Sequence, residues 1–187
     1  MKNVKHKERN VWVIRAGKKG EAHALFVNNG FICLDDPSMG DLRLLPKDRP
    51  SFYKHYRSSH TEESNVSVGG IGGKFFRFSI EVQIGDRVLY PCLLDQNIYL
   101  GEITSAYFYD RSCDIRFPHR RRIKWLETIP KSTLSEFAKR ELGAARTFFR
   151  FKSHIAEIEK YLGPGLQRKS VKKTSRLVNK PMRARNH

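Results

Sequence analysis

Acidic residues and long hydrophobic runs are both scarce in this sequence. The 187 residues include 36 lysines and arginines against 19 aspartates and glutamates, a formal net charge of +17. The apolar run that starts at Val11 is interrupted by Arg15, and no stretch approaches the roughly 20 apolar residues of a membrane helix. We therefore expect neither a signal peptide nor a membrane span. The charge indicates a polyanionic partner, most commonly nucleic acid.

Motifs for metal binding and catalysis are missing as well. The three cysteines (Cys33, Cys92 and Cys113) have no Cys-x-x-Cys or Cys/His ligand spacing, which predicts reduced core thiols in a cytoplasmic protein and not a zinc site. The sequence has no G-x-S-x-G, and the glycines before Lys74 lack the Ser or Thr of a phosphate-binding P-loop. We expect His23, His119 and His154 at the surface or at helix caps. The sequence favours a binding protein without catalysis or cofactor.

Hydrophobic residues make up 39% of the chain and aromatic residues 11%, which is enough for a packed core. Strands outnumber helices in the pattern, and no βαβ repeat occurs, so we predict an α+β fold with a small curved sheet or β-barrel flanked by helices. Strands are predicted at 11–15, 31–34, 85–94, 98–109 and 146–151, and residues 114–129 are expected to form either a strand pair or a basic loop followed by a strand. Helices are predicted at 20–29, at 50–62 with Phe52, Tyr53 and Tyr56 inward, and at 132–142 and 154–162. Gly30 is expected to end the first helix, and Ser132 or Thr133 to cap the third. The glycines at 69, 70, 72 and 73 argue against a stable isolated helix and favour close backbone packing.

Most of the positive charge lies at the two ends of the chain. Residues 1–10 carry a net charge of +3, residues 163–187 hold eight cations and no acid, and residues 11–162 keep +6. We predict a basic arm (1–10), one domain (11–162) and a basic tail (163–187). Phosphate attraction is the favoured role of the tail, and a solvated linker is the alternative.

Basic and aromatic residues alternate in the segment "YFYDRSCDIRFPHRRRIKW". Aromatic rings stack on bases and cations bind phosphates, so this composition predicts a nucleic-acid surface. A strand with an apolar inner face and a solvated basic outer face is the alternative, and both descriptions can hold at once. The residues concerned are Tyr107, Phe108, Tyr109, Phe117, Arg111, Arg116, Arg120, Arg121, Arg122 and Lys124.

Several short pieces occur together in a characteristic order. They are "WVIRAGKKGEAHALFVNNGFICLDD", "GDL", "FFRFSIEVQIGDRVLYP", "YLGEITSAYFY" and "RRRIKWLETIPKSTLSEFAKRELGAARTFFRF". Over about residues 11–162 the chain resembles the EVE-like N-terminal domain of modification-dependent restriction proteins of the Mrr and McrB type, which is similar to EVE and YTH domains of the PUA superfamily. The resemblance implies a small β-barrel with outer helices and a pocket for one modified base extruded from DNA.

The resemblance also implies where the ligand binds. The turn "RAGKKG" is expected to bring backbone amides to the base, and its cations to hold adjoining phosphates. The implied base pocket comprises Arg15, Ala16, Gly17, Leu34, Asp35, Asp36, Tyr107 and Tyr109. The predicted phosphate contacts are Lys18 and Lys19 of this turn, together with Arg116, Arg120, Arg121 and Arg122 of the basic aromatic segment. Without the resemblance, "RAGKKG" is an ordinary strand–helix turn.

One departure from the family is notable. Many members carry an aromatic residue shortly after the second strand, where this chain has Asp35 and Asp36. We expect one of these carboxylates, Asp36 first and Asp35 otherwise, to accept a hydrogen bond from an exocyclic amino group of the base. The leading hypothesis is a non-catalytic reader of methylated or hydroxymethylated DNA in a defence system, with any cleavage supplied by a nuclease or ATPase on a partner chain or missing domain. An RNA-binding PUA-like module and an adaptor with a vestigial pocket are the alternatives.

Overall fold

The computed structural model describes residues 9–62 and 65–162, without the side chains of residues 65–68. Residues 1–8 of the predicted arm and the whole predicted tail lie outside this range. The strands are β1 (Val11–Ile14), β2 (Phe31–Leu34), β3 (Arg87–Pro91), β4 (Asn97–Ile103), β5 (Phe108–Tyr109), β6 (His119–Pro130) and β7 (Phe148–Phe151). The α-helices are α1 (His23–Val27), α2 (Arg49–Ser59), α3 (Asn65–Phe76), α4 (Glu136–Leu142) and α5 (Ile155–Glu159). A π-helical turn (Arg77–Glu81) continues α3.

The strands form one curled sheet in the order β2-β6-β4-β3-β1-β7, and β5 also pairs with β6. The β1–β3 pair is parallel, and the other pairs are antiparallel. The long strand β6 links β2 and β5 to the rest of the sheet, because its first part pairs with these two strands while its second part pairs with β4. This architecture confirms the predicted α+β fold with a small curved sheet flanked by helices. Within the described residues the sheet is open, with β2 and β7 at its edges.

Side chains alternate across the sheet and build a core on each face. Trp12 and Ile14 of β1 pack with the helices α1–α3, and Trp12 stacks on Phe148 with ring centroids 5.1 Å apart. Val11 and Val13 point to the opposite face and pack with α4 and α5. The apolar residues in each layer exclude water from both sides of β1, as its continuous apolar sequence predicts.

The glycine-rich stretch forms a helix that packs closely against its neighbour. A Cβ atom on Gly72 of α3 would lie 2.6 Å from Cδ1 and 3.2 Å from Cα of Tyr53 in α2. The predicted close backbone packing is therefore confirmed at this position. Tertiary contact compensates for the weak helix propensity of glycine. Of the three residues of α2 that were predicted to face inward, Phe52 and Tyr56 are buried and Tyr53 is partly buried.

The structure confirms the predicted end of the first helix, but the predicted cap of the third helix and the predicted burial of Cys113 are wrong. Gly30 ends the first helical segment with φ +66°, although α1 is shorter than predicted. The third predicted helix begins later than expected, because the Ser135 hydroxyl accepts the Ala138 N–H at 3.2 Å and acts as the N-cap. Cys33 and Cys92 are buried, but Cys113 is exposed, since the β5–β6 loop (110–118) that carries it lies at the surface. No described helix has the length and hydrophobicity to cross a membrane.

Candidate functional site

The turn "RAGKKG" is organised around the carboxylate of Glu21. The Lys19 N–H donates to Glu21 Oε2 at 2.9 Å, and this bond lowers the pKa of Glu21. Gly17 has φ +84°, and a Cβ atom there would clash with the same oxygen. Glycine is therefore required by the turn itself. The Lys19 amide that was expected to face a base is bound to Glu21, and Lys18 and Lys19 are exposed beside it.

Arg15 belongs to the scaffold. Its guanidinium donates to the carbonyl oxygens of Leu142 (3.3 Å), Ala144 (2.8 Å) and Arg146 (3.3 Å). These bonds fix the segment between α4 and β7. Ala16 is buried and accepts the Ala22 N–H through its carbonyl oxygen at 3.0 Å. The burial of Ala16 contradicts its predicted place in a base pocket, whereas Arg15 is partly exposed and its place there stays a prediction.

The two aspartates after β2 have different surroundings. The Asp36 carboxylate accepts the Ser38 N–H at 3.2 Å, caps the following turn, and lies 3.5 Å from His60 Nε2. Asp35 is exposed, and its Oδ1 lies 2.9 Å from Lys74 Nζ. Leu34 before them is buried in the core. Of the pair, Asp35 lines an open cleft, whereas the Asp36 carboxylate is bound within the fold, and a role of Asp36 in base recognition stays a prediction.

Tyr107 and Tyr109 meet around a buried histidine. The Tyr107 hydroxyl lies 2.9 Å from His119 Nδ1, and His119 Nε2 lies 2.9 Å from the Asp36 carbonyl oxygen. Since a carbonyl oxygen only accepts, Nε2 carries the proton and Nδ1 accepts from Tyr107. Burial lowers the pKa of His119 to about 4. His119 was expected at the surface, and Tyr107 in a base pocket; both are instead buried in one hydrogen-bonded network.

Two of the predicted phosphate contacts are buried arginines of β6. Arg120 is 0% exposed and forms an ion pair with Asp110 at 2.8 Å, while it also donates to the carbonyls of Phe117 and Asp114. It therefore holds the β5–β6 loop in place. Arg121 is 2% exposed on the opposite face of β6. It donates to the carbonyl oxygens of Phe78, Ser79 and Ser105. Neither side chain is accessible to a phosphate, so these two predictions are wrong.

The other two predicted arginines are accessible but partnered. Arg116 forms an ion pair with Asp114 at 2.7 Å. Arg122 is exposed, with its guanidinium 5.0 Å from the centre of the Phe31 ring and 6.0 Å from that of Phe108. Two cations of the basic aromatic segment are thus paired with its two aspartates, while Arg111 and Lys124 of the same segment are exposed.

A separate cationic cleft lies between α3 and β7 and has a volume of about 730 Å³. Five of the described residues that line it are cations and one is an acid: Lys74, Arg77, Arg146, Arg150, Lys152 and Asp35. Arg146, Arg150 and Lys152 are exposed. The lone acid is already paired with Lys74. The cleft therefore has a surplus of positive charge, which suits an anionic ligand.

Of the residues predicted from the sequence, Asp35 alone lines this cleft. The spacing of the five cations that line the cleft was visible in the sequence. Lys74 of α3 and Arg77 of the π-helical turn that continues it are three residues apart, a spacing that places both on one helix face. Arg146, Arg150 and Lys152 follow the two-residue period of a strand. Nothing local to either segment indicates that the two face each other.

A second cavity of about 760 Å³ has a mainly apolar lining that includes Leu42, Ile80, Val82 and Tyr107. Its buried cation, Arg121, is bound to the three backbone carbonyls. Arg43 and Lys47 also line this cavity, and Arg43 is already paired with Asp41. The α3–β7 cleft has the larger number of exposed cations in its lining, which makes it the better candidate for an anion site.

Fold and cleft together define a class of protein, an α+β module with an open curled sheet and a cationic cleft at one sheet edge. The chain belongs to the family described as Domain of unknown function (DUF8426), whose model matches residues 12–152. The matched range includes the sheet from Trp12 onward and every residue that lines the cleft. A comparison with curated proteins gave no match.

Proposed function

We propose that this protein is a non-catalytic module that binds double-stranded DNA and holds one extruded, modified base in the α3–β7 cleft. The observation that carries the proposal is the imbalance of charge in the cleft, where five cations face a single acid. The resemblance to EVE-like domains supplies the class of ligand. The basic arm and tail add sequence-independent attraction to phosphates.

The size and the chemistry of the cleft support a nucleotide as ligand. Its volume of about 730 Å³ lies within the range of roughly 300–1,000 Å³ that is usual for small-ligand sites. Cations at the rim suit the phosphates that flank an extruded base. Ile71 and Phe148 contribute the apolar part of the lining, against which a methyl group can pack.

Asp35 is the residue we assign to base recognition. Its exposed carboxylate accepts hydrogen bonds and donates none, so it suits the exocyclic amino group of cytosine or adenine. Lys74 holds it in place at 2.9 Å. The module acts in the cytoplasm as part of a defence system in this proposal, and a nuclease or ATPase on another chain or domain carries out any cleavage.

The test is a competition titration of duplexes with and without a single methylated or hydroxymethylated base at one fixed salt concentration. Wild type should prefer one of the modified duplexes. Asp35→Ala should lower that preference by about one to two decades, because a lost hydrogen bond to a buried base edge costs about 1–3 kcal/mol. Non-specific binding should be retained, since no cation is removed.

Glu136→Ala is the matched control. Glu136 is an exposed acid on α4, with its side chain 80% exposed, and it does not line the cleft. It changes the net charge by the same amount and should leave the preference unaltered. If wild type prefers none of the modified duplexes, the proposal fails, and titration with single-stranded RNA then tests an RNA-binding function.

A further inference from the structure

Arg77 lies in the cleft with an unsatisfied hydrogen-bond donor. Its Nε atom is buried and has no hydrogen-bond partner among the described residues. Buried polar groups are nearly always paired, and an unpaired one costs about 1–3 kcal/mol. An arginine that stays in such a place indicates that a group outside the described residues satisfies it.

The acids near Arg77 are bound to other cations. Glu81 forms an ion pair with Arg49, and Asp35 forms one with Lys74. Burial lowers the pKa of Arg77, and the positive charges of Arg49 and Arg146 lower it further, while Glu81 acts in the opposite direction. The guanidinium thus lies in a region where its own positive charge is poorly compensated.

The helix backbone leaves room for this arrangement. A Cβ atom on Gly73 would lie 3.1 Å from Arg77 Nη1, a distance at which a larger residue would push the guanidinium away. Gly70, one turn earlier, also lines the cleft. Two glycines on one side of α3 therefore keep the approach to Arg77 open.

We infer that Arg77 and Arg146, assisted by Lys74, form a binding site for a single phosphate group. A planar guanidinium binds a phosphate through two parallel N–H bonds, which would satisfy the Nε donor of Arg77 and compensate its charge. The source of the phosphate rests on the proposed function: if that function is correct, the phosphate belongs to the DNA backbone. A free phosphate or a mononucleotide carries the same chemistry.

The experiment measures the affinity of the full chain for inorganic phosphate, a 5′-mononucleotide and a DNA duplex by calorimetry at low salt. Arg77→Ala should weaken phosphate binding about tenfold to a hundredfold. Arg77→Lys keeps the positive charge but lacks the two parallel N–H donors of the guanidinium, so it should recover only part of the affinity. Arg122→Ala removes an exposed arginine outside the cleft and should bind phosphate as wild type does.

The three ligands separate this site from the proposed function and from one another. If phosphate binding depends on Arg77 but the protein shows no preference for modified DNA, the result supports the phosphate site and contradicts the proposed recognition of a modified base. Tighter binding of the mononucleotide or the duplex than of inorganic phosphate shows that the phosphate belongs to a nucleic acid. Equal affinity for all three assigns the site to free phosphate.

The site is contradicted if wild type binds none of the three ligands, or if Arg77→Ala binds inorganic phosphate as tightly as wild type. Thermal unfolding keeps the test valid if the alanine variant folds poorly. Phosphate should then raise the melting temperature of wild type and of Arg122→Ala, and raise that of Arg77→Lys by less. An equal rise in all three contradicts the site.

Discussion

Two buried or partly buried arginines of this protein are used in opposite ways. Arg121 of β6 is 2% exposed and donates to three carbonyl oxygens. Arg77 of the π-helical turn is partly buried in the cleft and has an Nε atom without a partner. The donors of Arg121 are bound within the fold and stabilise it, whereas we infer that Arg77 binds a phosphate group. A count of cations along the sequence therefore says little about which of them bind a polyanion.

The largest effect expected from this comparison is on stability. Arg121→Met should lower the free energy of unfolding by about 3 kcal/mol, because the carbonyls of Phe78, Ser79 and Ser105 each lose a donor in the protein interior. Urea denaturation measures it. Arg122→Met, at the exposed neighbouring position, should change stability by about 1 kcal/mol or less. Equal losses in the two variants would show that Arg121 does not stabilise the fold in this way.

The hydrogen-bonded network beside Arg121 should make stability depend on pH. His119 has a pKa of about 4 in the folded protein, below the ordinary value of about 6.5. Below pH 6.5 the unfolded chain binds more protons than the folded one, so stability falls as pH drops from 6.5 to 4, by up to about 3 kcal/mol. Urea denaturation at pH 7 and pH 4.5 measures the loss. His119→Gln keeps one donor and one acceptor without titrating, and an undiminished loss in this variant would exclude His119 as the cause.

The helix that carries Arg77 depends on one close contact. Gly72→Ala should lower the free energy of unfolding by about 1–3 kcal/mol, because its Cβ would lie 2.6 Å from Tyr53 Cδ1. Gly69→Ala is the matched control on the same helix, since no atom of the described residues outside the adjacent helix backbone lies within 4 Å of its Cβ position. Alanine there should raise stability by about 0.5–1 kcal/mol. Chemical denaturation distinguishes the two, and a stabilising Gly72→Ala would mean that α2 and α3 do not pack closely.

The smallest expected effect on stability is a gain. Arg77→Met should raise the free energy of unfolding by about 1 kcal/mol in the absence of phosphate, because an unpartnered donor and a poorly compensated charge are removed. Thermal and urea denaturation measure the change. A clear loss of stability would place Arg77 with Arg121 among the structural arginines and remove the contrast between them.

The sequence predicts much of the fold. Strands β1, β2 and β7, the β3–β4 hairpin, the turn at Gly30 and the buried face of α2 all follow from local pattern and turn chemistry. The cap of α4 was misplaced, because Ser132, Thr133 and Ser135 all precede the helix and the local sequence does not distinguish them. The glycine-rich helix required knowledge of its partner, Tyr53.

The candidate site was far less predictable. Arg120 and Arg121 belong to a run of three arginines that indicates a surface, and yet the Asp110 carboxylate and several backbone carbonyls, including that of Asp114, bind them. The aspartates in "YDRSCDIR" were a signal for this, since they lie near the arginines along the chain. The cleft is formed by residues 70–77 and 145–152, with Asp35 at its rim. No local pattern shows that such distant segments meet.

The most direct test of the account asks which cations bind DNA. Two double variants each remove two exposed arginines: Arg146→Ala/Arg150→Ala in the cleft, and Arg116→Ala/Arg122→Ala in the basic aromatic segment. The measurement is the affinity for one duplex between about 50 and 200 mM salt. The binding constant falls with salt, and each lost phosphate contact makes the slope of log K against log salt shallower by about 0.9. The account predicts a slope that is shallower by almost 2 and clearly weaker binding for the cleft variant, with little change for the Arg116/Arg122 variant. A larger loss in the Arg116/Arg122 variant would contradict it and return the DNA-binding surface to the β5–β6 region.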